Sequence, residues 1–115
     1  MNGFGGTWGR RRRAEGAPVA DATVRLIFPS VTKWDTTDAR GCFHVHVIHS
    51  PNDTRASFGV TKPGMKSWMG EAGDEYYYVA TVQLAPLASP VASTGWFRPR
   101  TLSDSALIDC TLLKR

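Results

Sequence analysis

The chain has 115 residues, of which 42% are hydrophobic and 21% are charged, and its formal net charge is +4. This length and balance are typical of one globular domain with its own core, and they exclude a wholly disordered chain. No apolar run approaches the roughly 18 residues that a transmembrane helix needs, so we expect no transmembrane segment. Four consecutive cations account for the positive excess: Arg10, Arg11, Arg12 and Arg13.

The N-terminal residues contain glycines and no apolar segment, so they do not resemble a secretory signal peptide. We therefore expect a cytoplasmic protein or, if an export signal has been removed, a periplasmic or envelope-associated one. The two cysteines, Cys42 and Cys110, are too far apart for a Cys-x-x-Cys motif. They could form one disulfide in an oxidising compartment or remain two buried thiols, and the sequence leaves both alternatives open.

Alternating apolar and polar residues predict short strands throughout the first half of the chain. These predicted strands are residues 7–12, 23–28, 32–36 and 42–48. The first carries the arginine run, and we expect it at a sheet edge, where charge prevents edge-to-edge pairing. Residues 37–41, with Gly41 last, predict a tight turn. The residues predicted to face the core are Val24, Leu26, Phe28, Phe43, Val45 and Val47.

The second half of the chain continues the β pattern and then departs from it. The predicted strands are residues 55–62, 65–68 and 76–84, with a loop at residues 70–75. Residues 87–105 are rich in Ser and Pro, so we expect an irregular excursion there. Residues 106–115 should supply the final strand of the same domain. Seven or eight short strands at about ten-residue spacing predict an all-β fold, a single antiparallel β-sandwich.

Four groups of turn and core residues occur in an order typical of one known family. They are Gly16, Pro18, Val19, Ala22, Val24 and Leu26, then Thr37, Asp38, Gly41 and Phe43, then Val60, Lys62 and Gly64, then Val82, Leu84 and Pro86. In these residues the chain resembles the carboxypeptidase regulatory-like domains, which belong with the transthyretin-like (prealbumin-like) β-sandwiches. The resemblance implies a domain over residues 1–86. It also implies an accessory, anchoring or protein-binding module, often in exported or envelope proteins.

Two enzymatic relatives of that fold make different demands on the sequence. The transthyretin-like hydrolases of the ureide pathway end in Tyr-Arg-Gly-Ser, whereas this chain ends in Leu112-Leu113-Lys114-Arg115. Intradiol dioxygenases hold iron with two Tyr and two His, and the contiguous run of residues 76–78 does not reproduce their spacing. We therefore expect no catalytic residues and no enzymatic activity.

Cys42, His44 and His46 lie at alternate positions of a predicted strand, so they should share one face. Thiolate and imidazole ligands suit zinc or copper, and this set predicts a metal site as the alternative function. The competing interpretation is a solvated polar face on which Cys42 packs under a loop or pairs with Cys110. That pairing would remove the thiolate.

The arginine run, residues 10–13, could contact phosphates or acidic lipid head groups. We do not expect nucleic acid as the partner, because the rest of the chain is electrically balanced. If the arginines do bind a partner, we expect an acidic protein.

Aromatic residues next to arginines predict a protein-binding surface, because Trp, Tyr and Arg are frequent at binding hot spots. The predicted set is Trp96, Phe97, Arg98, Arg100 and Tyr77. The alternative is that Trp96 and Phe97 fix the excursion onto the domain. The sequence thus predicts a non-catalytic binding or structural module that docks onto a protein partner or a second copy.

Overall fold

The computed structural model describes residues 6–13, 17–48, 50–73 and 77–101. The elements in these ranges are β1 (Gly6–Arg13), β2 (Thr23–Phe28), β3 (Val31–Thr36), β4 (Cys42–Val45), β5 (Ala56–Thr61), β6 (Trp68–Ala72), β7 (Tyr77–Leu84) and β8 (Thr94–Pro99). The predicted all-β class is confirmed. No helix capable of crossing a membrane occurs within these ranges. The predicted final strand, residues 106–115, lies outside them.

The strands form two four-stranded sheets. Sheet A has the order β4-β1-β7-β8, and sheet B has the order β3-β2-β5-β6. Most neighbours are antiparallel, but β1 pairs with β7 in parallel, so the expectation of a purely antiparallel arrangement is wrong at this pair. Five strands separate β1 from β7 along the chain, and no hairpin imposes an antiparallel direction on the two.

The position of β1 differs from the prediction. It pairs with β4 on one side and with β7 on the other, so it is an interior strand and not an edge strand. Local alternation cannot reveal this position, because strand order depends on pairings between distant segments. The interpretation of the arginine run as protection for a sheet edge is therefore wrong.

The two sheets face each other across one shared core. Residues of β2, β4, β5, β7 and β8 form a single buried cluster. The rings of Phe43 and Phe58 stack between the sheets with centroids 5.2 Å apart. Phe97 continues the stack, 5.3 Å from Phe58 and 4.8 Å from Tyr78. The predicted inward residues of β2 and β4 are all buried, as their alternation indicated.

Thr37 fixes the connection that precedes β4. Its buried hydroxyl donates to the carbonyl of Val19 at 2.7 Å and accepts from the amide of Ala22 at 2.9 Å. The predicted turn follows, with the amide of Gly41 donating to the carbonyl of Asp38 at 2.9 Å. Gly41 has a φ of 74°, in the left-handed region that glycine adopts readily.

Two predicted irregular segments contain strands. The expected loop at residues 70–75 overlaps β6, and the expected excursion at residues 87–105 contains β8. In each strand a glycine occupies an inward-facing position, Gly70 in β6 and Gly95 in β8, and it interrupts the apolar alternation by which a strand is predicted. Gly70 of β6 lies against Phe97 of β8, so the two strands meet where the sheets approach each other.

Candidate functional site

The outer surface of β8 presents an aromatic residue and a cation together. The side chain of Trp96 is 39% exposed. The guanidinium of Arg98 lies 4.6 Å from the centroid of the Trp96 ring, within the range of a cation–π interaction. The two residues are two positions apart on one strand and therefore share a face.

Phe97, between them, points into the core and is only 7% exposed. The prediction that it belongs to a surface cluster is corrected: Phe97 anchors β8 to the domain. This is the role that the alternative interpretation gave it, while Trp96 remains accessible to a partner.

An open groove of about 370 Å³ lies beside Trp96 on the outer face of sheet A. Its lining residues are Thr81, Gln83, Thr94, Gly95 and Trp96. Thr81 is in register with Trp96, and Gln83 with Thr94, so the groove follows the pairing of β7 and β8. Hydroxyl and amide groups beside an indole ring can combine directional hydrogen bonds with apolar contact.

Gly95 is needed for the close approach of β8 to β7. A Cβ atom at this position would lie 2.6 Å from the carbonyl oxygen of Thr81 and 2.9 Å from Cγ2 of Val82. Neither distance is compatible with a normal nonbonded contact. Sequence alone does not reveal the role of Gly95, because the constraint arises between two strands.

The connection between β7 and β8 is held by side chains that bond to its backbone. The ammonium of Lys66 donates to the carbonyls of Ser89 and Val91 at 2.7 and 2.8 Å. The hydroxyl of Ser93 donates to the carbonyl of Lys66 at 2.7 Å and accepts from the amide of Ala85 at 2.9 Å. The Ser- and Pro-rich segment therefore has a defined path that leads β8 back onto the sheet.

The other two residues predicted to bind a partner lie at one end of sheet A. Arg100 is partly buried and follows β8 directly. Tyr77 begins β7, and the next residue, Tyr78, is in register with Pro99. The backbones of Tyr77 and Arg100 thus lie at the same end of the β7–β8 pair, next to Arg98.

Backbone register also brings part of the arginine run alongside the groove. On β1, Arg10 is in register with Thr81, and Arg12 is in register with Gln83. The other two arginines, Arg11 and Arg13, alternate with these and are in register with buried residues of β7. Positions 10 and 12 therefore lie next to two groove-lining residues.

The predicted metal ligands occupy different environments. Cys42 is 1% exposed and disulfide-bonded, which removes the thiolate that a metal would need. His44 is partly buried, and its backbone amide donates to a carboxylate oxygen of Asp35 at 2.9 Å. His46 is exposed beyond the end of β4. No group of three or more potential metal-ligating side chains occurs in the described part of the chain.

The predicted partner of Cys42 in a disulfide, Cys110, lies outside the described residues, so the Cys42–Cys110 pairing stays a prediction. The zinc or copper hypothesis also stays a prediction, and the disulfide weakens it.

A second exposed tryptophan lies on sheet B. Trp34, on β3, is 68% exposed and in register with the exposed Arg25 on β2. The pair of Trp34 and Arg25 has the same composition as Trp96 and Arg98, but it lies on sheet B, whereas the groove lies on sheet A. Trp34 therefore offers a matched comparison for tests of the sheet A surface.

Comparison with known proteins gives little further information. No protein-family model matches the chain, and no curated protein matches it. A solved structure of 3-chlorocatechol 1,2-dioxygenase from Rhodococcus opacus 1CP is similar, with a TM-score of 0.49 and 11% sequence identity. The similarity covers 86% of this chain and 61% of the dioxygenase chain, less than two thirds of its length. At this TM-score the similarity supports no conclusion about activity.

Proposed function

We propose that the protein is a non-catalytic docking module that binds a partner protein in a larger assembly. In this proposal the two packed sheets form a transthyretin-like β-sandwich of the carboxypeptidase regulatory-like type. The observation that supports it most is the exposed Trp96 ring beside the Arg98 guanidinium on the outer face of sheet A.

The composition of this surface suits protein recognition. Tryptophan and arginine dominate binding hot spots, because a large flat ring and a planar cation make extensive contact with little loss of conformational entropy. The adjacent groove can receive a side chain of the partner. The hydroxyl groups of Thr81 and Thr94 and the side-chain amide of Gln83 line this groove, where they can form hydrogen bonds with the partner.

The position of β8 supports a backbone contribution to docking. Among the described strands, β8 is the last one on its side of sheet A. An extended segment of a partner can add to such a strand by β-augmentation, with main-chain hydrogen bonds giving affinity and neighbouring pockets giving specificity.

The disulfide of Cys42 supports an oxidising location. Disulfides persist mainly in secreted, periplasmic and cell-surface proteins. We therefore propose that the module works in the periplasm or at the cell envelope, in preference to the cytoplasm.

Affinity capture from the source cells tests the docking surface. Tagged wild-type protein should recover a stoichiometric partner, and Trp96→Ala should reduce that recovery by about tenfold or more, as loss of a hot-spot residue does. The matched control is Trp34→Ala, which removes an even more exposed indole from sheet B and should leave recovery unchanged. Thermal unfolding of each variant checks that the domain remains folded.

Two outcomes would contradict the proposal. Equal recovery with wild type and Trp96→Ala would remove Trp96 from the interface, and loss with Trp34→Ala alone would move the interface to sheet B.

Co-expression of two differently tagged copies distinguishes a homo-oligomer from a hetero-assembly, because only self-association recovers both tags together.

A further inference from the structure

Carboxylates cover the edge of sheet A that lies opposite β8. Among the described strands, β4 is the last one on this side, and it pairs with β1. Because backbone groups alternate in an antiparallel pair, every second residue of β4 directs its amide away from β1. The amide of Cys42 donates to Oδ1 of Asp38 at 3.0 Å, and the amide of His44 donates to Oδ2 of Asp35 at 2.9 Å. Both outward amides of β4 therefore have a carboxylate acceptor.

The two carboxylates come from different elements. Asp38 belongs to the turn before β4, and its Oδ1 also accepts from the amide of Arg40 at 2.9 Å, so this residue serves the turn as well. Asp35 lies on β3, the last strand of sheet B on this side. It is in register with the buried Val24, so its side chain lies on the core-facing side of sheet B. The bond from Asp35 to His44 thus joins the edges of the two sheets, and the turn does not require it.

An inward-facing charge on an edge strand is a known protection against edge-to-edge pairing. Here the charge also occupies a donor that an added strand would need. A strand approaching β4 would have to displace both carboxylates from their amides, and a charged group that loses its hydrogen-bond partner carries a large desolvation cost. Since β4 has only four residues, the new backbone ladder would be too short to offset this cost.

The β8 edge differs in composition. Residues 85–101, which contain β8 and the connection before it, include neither Asp nor Glu. Strand β6 of sheet B meets β8 and carries Glu71, whose carboxylate lies 3.9 Å from the guanidinium of Arg55. The arrangement of carboxylates that covers the β4 edge therefore has no counterpart along the chain at β8.

We propose that Asp35 and Asp38 close the β4 edge of sheet A, so that the module accepts a single partner strand, added at β8. This inference rests on the docking function proposed above and adds its stoichiometry. If both edges were open, β4 of one copy could pair with β8 of the next. Such head-to-tail contacts produce open chains of subunits unless the rotation between copies happens to form a ring.

Sedimentation velocity of the purified protein over a range of concentrations tests the inference, with a second copy of the chain as the probe. The wild type should keep one mass at all concentrations. Asp35→Ala removes the acceptor for the His44 amide, and its average mass should rise with concentration to at least about twice that of the wild type, since a pair of copies is the smallest product.

Exchange of the His44 amide proton, measured by NMR, shows whether β4 is the surface involved. In dilute Asp35→Ala this amide should exchange about tenfold faster than in the wild type, because a charge-assisted hydrogen bond is lost. As the concentration rises, exchange should slow again, because a second copy covers the edge.

Two control variants separate the acceptor from the charge. Asp35→Asn removes the charge but keeps a side-chain oxygen that can accept from the amide, so it should behave as the wild type. Glu71→Ala removes an exposed carboxylate from β6, the last strand of sheet B on the other side, and should also leave the mass unchanged. If Asp35→Ala does not fold, Asp35→Val repeats the test with a side chain that favours strands and accepts no hydrogen bond.

Three results would overturn the inference. The first is a wild-type mass for the folded Asp35→Ala or Asp35→Val variant at every concentration. The second is association that leaves exchange of the His44 amide independent of concentration, which would place the contact on another surface. The third is equal association of Asp35→Asn and Asp35→Ala, which would assign the effect to charge alone.

These results remain distinct from the test of docking itself, because they use the protein without its partner. If Trp96→Ala abolishes partner capture while Asp35→Ala keeps the wild-type mass, the docking function stands and the closure of β4 is wrong. If Trp96→Ala has no effect on capture while Asp35→Ala associates through β4, the closure stands and the docking surface is wrong.

Discussion

At the scale of single residues, Trp96 and Phe97 show how one strand can serve both the core and the surface. Phe97 stacks between Phe58 and Tyr78, whereas Trp96 faces the groove with Arg98 against its ring. The sequence identified both aromatics as important but could not separate them. Strand alternation assigns opposite faces only when the strand itself is recognised, and β8 was predicted as an irregular segment.

The two side chains should therefore differ in their effect on stability. We expect Phe97→Ala to lower the free energy of unfolding by about 3–5 kcal/mol, because it removes a buried ring from the aromatic stack. Trp96→Ala should lower it by less than about 1 kcal/mol, since a partly exposed ring gives up few buried contacts. Urea unfolding followed by circular dichroism measures both, and comparable losses would contradict the assigned environments.

At the scale of strands, prediction succeeds where one face of a strand is lined with large apolar side chains. The predicted strand at residues 23–28 has the same bounds as β2, because Val24, Leu26 and Phe28 occupy alternate positions in the sequence. All three side chains are buried in the structure. In β8 the inward positions are Gly95, Phe97 and Pro99, which provide one large side chain and no visible alternation. The groove depends on the register between β7 and β8, which no local pattern encodes.

The closeness of these two strands gives a prediction about Gly95. Gly95→Ala places a methyl group against the Thr81 carbonyl and Val82, so we expect it to destabilise the protein by about 1–3 kcal/mol and to distort the groove. Gly73→Ala is the matched control, since no atom lies within 4 Å of the Cβ position there. Thermal unfolding of both variants makes the comparison. Equal melting temperatures would show that β8 does not approach β7 as closely as described.

At the scale of the whole molecule, the net charge of +4 equals the charge of the arginine run at residues 10–13, which lies on β1 of sheet A. The sequence reveals the arginine run, and the pairing of β1 with β4 and β7 determines the position of its backbone in sheet A. This non-local pairing could not be predicted, because chain segments far apart in sequence become neighbours only through the complete set of strand contacts. The predicted all-β class needed no such information.

The disulfide of Cys42 should contribute to the stability of the whole domain. If its partner is Cys110, it closes a loop of about 68 residues, and reduction should lower the free energy of unfolding by on the order of 4 kcal/mol. Urea unfolding with and without reductant measures this effect. Peptide mapping under non-reducing conditions identifies the bonded pair, and a bond from Cys42 to a second chain would contradict the predicted pairing.

Photo-crosslinking in the source cells tests the central claim, that the protein docks through the outer face of sheet A, most directly. A benzophenone amino acid is placed at position 96 or, as the matched comparison, at position 34 on sheet B. We predict that position 96 captures one partner and that position 34 captures none. Capture from position 34 alone, or from neither position while the complex remains assembled, would contradict the account.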